Sequence, residues 1–571
     1  MDNFSKILYR SYQDDPDRIA LYLLFNRQPE QPISMRHLIE GAAGYACSLE
    51  QAGIQPGEVV VLILQHGESL AYAFFGAVLR GAIPAIMPFL TEKLSPERYR
   101  DSLKSLFEIT SPAAAITDRE SLAEVQAAAR TDQASSIRAI LTADEIAPLK
   151  EADPAASPEA FAGLERSPDE TVLLQHSSGT TGLQKGVALS HQAVFNQLKN
   201  YRSALRLASS DVIVSWLPLY HDMGLIAGFL LPILSQVPLV LMSPFDWVRA
   251  PYRLLQAASH YRGTLCWLPN FAYNFCAQKI RERDLEGVDL SSLRAVINCS
   301  EPMHWKSHEM FLERFQPYGL QAQALATCYA MAENVFAVTQ GGLDGPVAVD
   351  AIDQQALLSR QRAEPASDPE TAVRMLSAGR PLANVQLQIF DDQVRPLPER
   401  CIGEIALSSD CMLTGYYHRP DQTRKAFHGG WYLTGDLGYL AGGELYVTGR
   451  KKDLIIVGGK NIYPQDLERL ACEVDGVHPG RVVAFGVFND YTGTEDVVLV
   501  AESDEDPTGQ PETAERIAAE IRQRVTRGSD IALRYVQIVE RNWLLKTSSG
   551  KVARSANREK YINEFKKTTA V

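Results

Sequence analysis

Hydrophobic positions along the chain fall into short continuous runs separated by helical periods. The runs VVVLILQH (59–66) and PAAAITD (112–118) are apolar throughout and flank the helical stretch GESLAYAFFGAVLRG (67–81). Continuous apolar strands alternating with helices predict a parallel sheet covered on both faces. From about residue 385 the pattern changes to shorter strands with glycine-containing turns: VQLQIFDD (385–392), GEIALSSD (403–410) and GELYVTGRKKDLIIVGG (443–459). These read as hairpins. Beyond Lys452 come further strands, RVVAFGVFND (481–490) and DVVLVAE (496–502), and an amphipathic helix that places Ile517, Ile521 and Val525 on one face. The expected class is therefore α/β. A large N-terminal domain, residues 1–451, combines stacked α/β subdomains with a β-rich subdomain, and a small mobile α+β domain, residues 452–571, follows it.

The uncharged segment 223–245 is long enough to cross a bilayer, but Pro232, Ser235, Gln236 and Pro238 divide it. It is expected to be a buried helix followed by a buried strand, not a membrane span. Two segments are poor in core-forming residues: 151–170, read as a surface linker, and the polar stretch 358–375.

With 571 residues the chain exceeds one hydrophobic core, and its formal net charge of -13 argues against non-specific nucleic-acid binding. A small-molecule ligand fits better. The eight cysteines form no C-x-x-C pair and have no histidine at metal-ligand spacing, so they are expected to be buried, reduced thiols. The first residues hold no apolar run of signal-peptide length, which predicts a cytoplasmic protein.

Chemistry enters at LLQHSSGTTGLQKGVALSH (173–191), where glycines, hydroxyls and Lys185 stand between two apolar runs. Such a loop can wrap its backbone N–H groups around phosphates. It is not a Walker loop, because Lys185 is followed by Gly186 and Gly182 precedes it by only three positions. The flanks TVLLQH and VAL are both strand-like, so a hairpin is expected, with Lys185 near its end as a point charge for the β and γ phosphates of a nucleotide.

SSGTTGLQKG (177–186), WLPLYHDMGL (216–225), NCSEP (298–302), TCYAMAEN (327–334), YLTGDLGYL (432–440), GRKKDLIIVGGKNIYPQDLE (449–468) and KTSSGK (546–551) follow one another in order. Together they make the chain resemble the adenylate-forming superfamily of acyl-CoA synthetases, fatty acyl-AMP ligases, luciferases and adenylation domains. The resemblance implies ATP and magnesium as cofactors and a carboxylic acid as substrate, converted to an acyl-adenylate with release of pyrophosphate. It implies that Ser177, Ser178, Gly179, Thr180, Thr181, Gly182 and Lys185 hold phosphates, and that Glu333 holds the magnesium ion. Ser300, Glu301 and Pro302 would wall the adenine site, with Tyr329 stacked on the base. Asp436, assisted by Arg450, would accept the ribose hydroxyls. Lys551 would bridge the carboxylate and the α-phosphate, and Lys452 would be the hinge of the C-terminal domain. His221 would sit at the mouth of the acyl site, although a histidine beside Asp222 can equally be a buried pair; His176 and His191 read as structural. Departures from the common pattern are Gln184, Ala330, Asn334 and Leu545, none of which removes a charged group.

WLPLYHDMGL, MSPFDWVRAPYRLL (242–255), LPNFAYNFC (268–276) and NIYPQDLE (461–468) look most like fatty acyl-AMP ligases, as does an insertion-like segment at about 347–376. In that branch an insertion at this place disfavours coenzyme A, and the acyl group goes to a carrier-protein phosphopantetheine. SSGTTGLQKG and VGGKN are equally at home in acyl-CoA synthetases, so coenzyme A stands as the alternative acceptor. A nucleotide-binding relative without activity is a third reading, opposed by Lys185, Glu333, Asp436, Arg450 and Lys551 occurring together. The expected acyl-lining residues, 230–241 and 266–276, are apolar and offer no acidic partner for an amino group, which favours a fatty or other apolar acid.

Overall fold

The structure is a computed structural model and describes residues 2–90, 96–129, 136–149, 161–177, 185–368, 372–457, 460–489, 494–529, 533–547 and 550–566. Two parallel sheets dominate it. One runs Ile83–Ile86, Val59–Ile63, Ala114–Thr117, Ala139–Thr142. The other runs Leu325–Thr327, Ala295–Asn298, Leu265–Leu268, Ile213–Ser215, Leu239–Met242, Ile19–Leu24 and, antiparallel at its edge, Gln31–Ser34. Every residue of Val59–Ile63, Leu265–Leu268 and Ala295–Asn298 is buried, as continuous apolar strands require when helices cover both faces.

The β-rich part is a five-stranded antiparallel sheet in which Val385–Phe390, Gly403–Ser409, Trp431–Ala441 and Glu444–Arg450 carry the hairpins expected there. Gly442 and Gly443, at φ 61° and 78°, turn the last of these. Strands Val477–Asn489, Thr494–Ser503 and Tyr535–Val539 form a separate sheet packed by Pro464–Cys472 and Pro511–Ser529, with Ile517, Ile521 and Val525 fully buried. Two apolar clusters consist only of residues from Ile455 onward, so this smaller C-terminal domain has cores of its own.

Segment 223–245 is a buried helix, Met223–Leu230 with π geometry and Leu231–Leu234, followed by the buried strand Leu239–Met242. Among the described residues no helix is long and apolar enough to cross a membrane. Gly224 lets this helix press on the preceding segment: a Cβ there would stand 2.2 Å from the Pro218 carbonyl oxygen.

Two expectations need correction. The second half of the supposed linker is docked, not free: Phe161 is buried, Gly163 lies against the Val78 and Leu79 carbonyls, and the Asn3 amide donates to the carbonyls of Leu164 and Arg166. Residues 151–160 lie outside the described residues. In the insertion-like segment, Val349–Asp353 and Ala372–Leu376 pair antiparallel around the helix Gln354–Arg360, and Ile352, Leu357 and Ala363 are buried. All eight cysteines are free, but only Cys266, Cys276, Cys299, Cys328 and Cys411 are buried; Cys47, Cys401 and Cys472 sit on helix faces or loops partly open to solvent.

Candidate functional site

The phosphate-loop segment is a hairpin. Strands Thr171–Ser177 and Lys185–Ser190 pair antiparallel, and Ser177 faces Lys185 as the last paired position. Ser178, Gly179, Thr180, Thr181 and Gly182 lie outside the described residues. Gly415–Tyr416 adds a third strand to the hairpin. That pairing sets the Tyr416 ring under Lys185, whose Nζ stands 4.5 Å from the ring centroid.

The hydroxyl of Tyr416 donates to Glu333 Oε1 at 2.9 Å and lies 2.9 Å from the hydroxyl of Tyr432. Glu333 belongs to the tight turn Ala332–Asn334. The next residue, Val335, has φ 64° and ψ -54°, and Phe336 N–H donates to the Asn334 carbonyl at 2.7 Å. This is a γ-turn with positive φ, a strained geometry for a β-branched residue. The surroundings hold it: Leu413 N–H donates to the Glu333 carbonyl, and the Asn334 amide donates to that of Ala337. Burial raises the Glu333 pKa; the Tyr416 hydroxyl opposes that shift and the Asp222 charge adds to it.

Asp436 and Arg450 face each other across the hairpin, with Arg450 Nε 3.2 Å from Asp436 Oδ1. The hydroxyl of Tyr329 donates to Asp436 Oδ2 at 2.7 Å, so the tyrosine expected at the base is anchored to the carboxylate expected at the ribose. Ser300 has φ 69°, and the Glu301 carboxylate accepts from Phe271 N–H at 3.0 Å. Burial raises the Glu301 pKa, while the Lys551 charge lowers it. Burial in turn depresses the Lys551 ammonium, and Glu301 and Asp222 support it. The motif from the far end of the chain thus meets NCSEP and WLPLYHDMGL in space.

His221 Nδ1 is 3.0 Å from Asp222 Oδ1, and Asp222 also accepts from Met223 N–H. The histidine is therefore paired. His191 accepts from Phe4 N–H at 3.2 Å. The buried His176 ring is pushed down to about 4 by desolvation. Burial also depresses Lys452, which Arg450 and Lys185 repel and Asp436 supports, so the expected hinge residue lies within electrostatic reach of the site. Tyr416, Tyr432 and Asp222 escape the motif reading of single residues. Tyr416 and Glu333 are 83 positions apart, and only the added strand brings them together.

Of the expected acyl-lining residues, Leu230, Leu241, Cys266 and Cys276 are buried, while Phe271 is exposed. Beside them Trp216 and Trp247 stack at 3.6 Å with Phe271 edge-on. Among the described residues no group of three or more His, Cys, Asp or Glu could hold a metal ion. The half-buried Glu333 carboxylate, which shares the Tyr416 side chain with Lys185, fits magnesium in another way, since that ion takes one or two carboxylates and completes its shell with phosphate oxygens and water.

Four cations (Lys185, Arg450, Lys452, Lys551) and four carboxylates (Asp222, Glu301, Glu333, Asp436) interact around one site. Fold and site together define an enzyme of the adenylate-forming class. The chain belongs to the AMP-binding enzyme family, whose pattern matches residues 8–417. The medium-chain-fatty-acid–[acyl-carrier-protein] ligase JamA of Moorena producens (strain JHB) is 29% identical over 574 residues, covering 97% of this chain and 94% of that protein. The 4-hydroxyphenylalkanoate adenylyltransferase of Mycobacterium tuberculosis is 31% identical over 544 residues, covering 90% of this chain and 84% of that protein. A solved structure from work on fatty acyl-adenylate ligases of E. coli and L. pneumophila superposes with a TM-score of 0.86 at 25% identity, covering 100% of this chain and 98% of that one. The resemblance read from the motifs, to adenylate-forming enzymes and most of all to fatty acyl-AMP ligases, is borne out.

Proposed function

We propose that the chain is a fatty acyl-AMP ligase: it joins an apolar carboxylic acid to ATP, releases pyrophosphate, and passes the acyl group to the phosphopantetheine thiol of a carrier protein. The observation that carries this reading is the convergence of Lys551, from the C-terminal segment, with Glu301 and Asp222 of the large domain. In the reaction a carboxylate oxygen attacks the α-phosphorus and the bond to pyrophosphate breaks. Lys551 stabilises the negative charge that gathers between carboxylate and phosphate. Asp436, oriented by Arg450 and Tyr329, accepts the ribose hydroxyls, and Lys185 meets the leaving phosphates. Glu333 would hold magnesium, which when bound neutralises phosphate charge.

For the acceptor, the insertion supports a carrier protein. Its Ile352, Leu357 and Ala363 share one apolar cluster with Tyr439 and Tyr446 of the β-rich sheet and with Leu454 and Tyr463, which follow the hinge. Restraint of the C-terminal domain at this joint would hinder assembly of a coenzyme A site, while a carrier protein brings its own thiol arm. Coenzyme A is the second reading, favoured by the synthetase-like SSGTTGLQKG and VGGKN. The test incubates enzyme, ATP, magnesium and a medium-chain fatty acid without acceptor, with coenzyme A, and with a phosphopantetheinylated carrier protein. Rapid acyl-CoA formation overturns the acceptor assignment, and absence of acid-dependent pyrophosphate release in all three arms overturns the activity.

A further inference from the structure

We propose that Tyr416 is a positioning residue that couples the two halves of the phosphate site, holding Lys185 by its ring face and the Glu333 carboxylate by its hydroxyl. This rests on the roles assigned above to Lys185 and Glu333. The geometry is that of a spacer. A phenol ring carries negative charge on its face, which attracts an ammonium group, while its O–H is a donor for an anion. Tyr416 uses both ends at once: Lys185 Nζ lies 4.5 Å from the ring centroid and Glu333 Oε1 accepts from the hydroxyl at 2.9 Å.

Without a group between them, a half-buried ammonium and a half-buried carboxylate pair with each other, since each offsets part of the other's lost hydration. Among the described residues no ion pair joins Lys185 to Glu333, whose carboxylate instead accepts from the Tyr416 hydroxyl. An ion pair would consume the charges that phosphate and magnesium need. Tyr416 keeps them apart, solvates both, and leaves Glu333 oriented by a hydroxyl that Tyr432 fixes from the other side at 2.9 Å. Strand pairing holds the ring in place, because Gly415 and Tyr416 are in register with Ala188 and Val187, three and two residues beyond Lys185.

The ring and the hydroxyl are separable by mutation. In the full-length enzyme, equilibrium binding of ATP is measured by calorimetry with and without magnesium for wild type, Tyr416→Phe, Tyr416→Leu and Glu333→Gln. Tyr416→Phe keeps the ring and loses the donor, so the gain in ATP affinity on adding magnesium falls by roughly 10- to 100-fold, the usual cost of removing a partner that orients a metal ligand. Its magnesium-free ATP affinity stays as in wild type. Tyr416→Leu also weakens magnesium-free binding, because Lys185 loses its support. Equal losses with and without magnesium for Tyr416→Phe, or no loss for either variant, overturn the proposal. If Glu333→Gln leaves the magnesium-dependent gain intact, the assignment of Glu333 fails instead; if Glu333→Gln abolishes the gain and Tyr416→Phe does not touch it, only the coupling role of Tyr416 fails.

Discussion

Replacing Asp350 with alanine releases the insertion from the β-rich sheet. Asp350 Oδ2 accepts from Arg400 Nη1 at 3.0 Å and from the Tyr439 hydroxyl at 2.9 Å, and Oδ1 accepts from Arg400 Nη2 at 3.3 Å. Arg400 Nη1 also donates to the Ala363 carbonyl at 2.7 Å, so one guanidinium ties the first strand of the insertion to its middle. The Asp350 side chain is 12% exposed, that of Arg400 33%, and Tyr439 is fully buried. In Asp350→Ala the Tyr439 hydroxyl loses its acceptor at a cost of ~1–3 kcal/mol. The arginine, a third exposed, adds at most ~1 kcal/mol because water replaces the lost partner. The joint therefore weakens by ~1–4 kcal/mol, which raises its open population about 5- to 700-fold if opening breaks these bonds. Amide hydrogen exchange in Ala372–Leu376, which pairs with Val349–Asp353, reads that opening directly. Acyl-CoA formation should rise in the same variant while acid-dependent pyrophosphate release stays near wild type. Unchanged exchange refutes the clamp; accelerated exchange with acyl-CoA formation still at the wild-type level refutes the link between insertion and acceptor.

Lys551→Ala should lower acid-dependent ATP–pyrophosphate exchange by ~10²–10³-fold, the loss typical of one group on developing negative charge; an unchanged rate refutes its assignment. Asp436→Ala should bind ATP and 2′,3′-dideoxy-ATP alike, whereas the wild type should prefer ATP by about tenfold or more, since hydrogen bonds to a charged group contribute ~1.5–3 kcal/mol; preserved discrimination shows that the hydroxyls are read elsewhere. Acid should destabilise the fold through its buried imidazoles: desolvation lowers His66, His176 and His308 to about 4, so their contribution is complete above the unfolded value near 6.5 and is lost as pH falls from there toward 4. The melting temperature should drop between pH 6.5 and 5, less in His176→Gln, and a flat profile contradicts the burial argument.

What the sequence made legible follows from how locally each feature is encoded. The face shared by Ile517, Ile521 and Val525, the break of segment 223–245 at its prolines, and the hairpin carrying Lys185 each depend on residues within about a dozen positions, where periodicity and turn chemistry act. Asp436 and Arg450 were legible for a related reason, since they are cross-strand neighbours in one hairpin. The docking of 161–166 was not, because its partners are Val78, Leu79 and Asn3 and its own composition is that of a loop. Nor was the insertion's core: Ile352, Leu357 and Ala363 are few among polar residues, and the surface they cover comes from residues 402–463.

Tyr416 marks the limit of reading residues one at a time. It stands in GYYHRP, a stretch with the composition of an exposed turn, and acquires a role only because two long-range events coincide. Gly415–Tyr416 joins the hairpin of the phosphate loop, and the strained turn at Val335 presents the Glu333 carboxylate to the hydroxyl. A positive-φ valine persists only where the surrounding structure outweighs its cost of ~1–3 kcal/mol. Here that surrounding structure includes the Leu413 N–H bond to the Glu333 carbonyl, two residues before Gly415. The segment that leads into the Tyr416 strand thus also braces the turn that delivers Glu333, which makes the position of the carboxylate and the position of its donor one structural event.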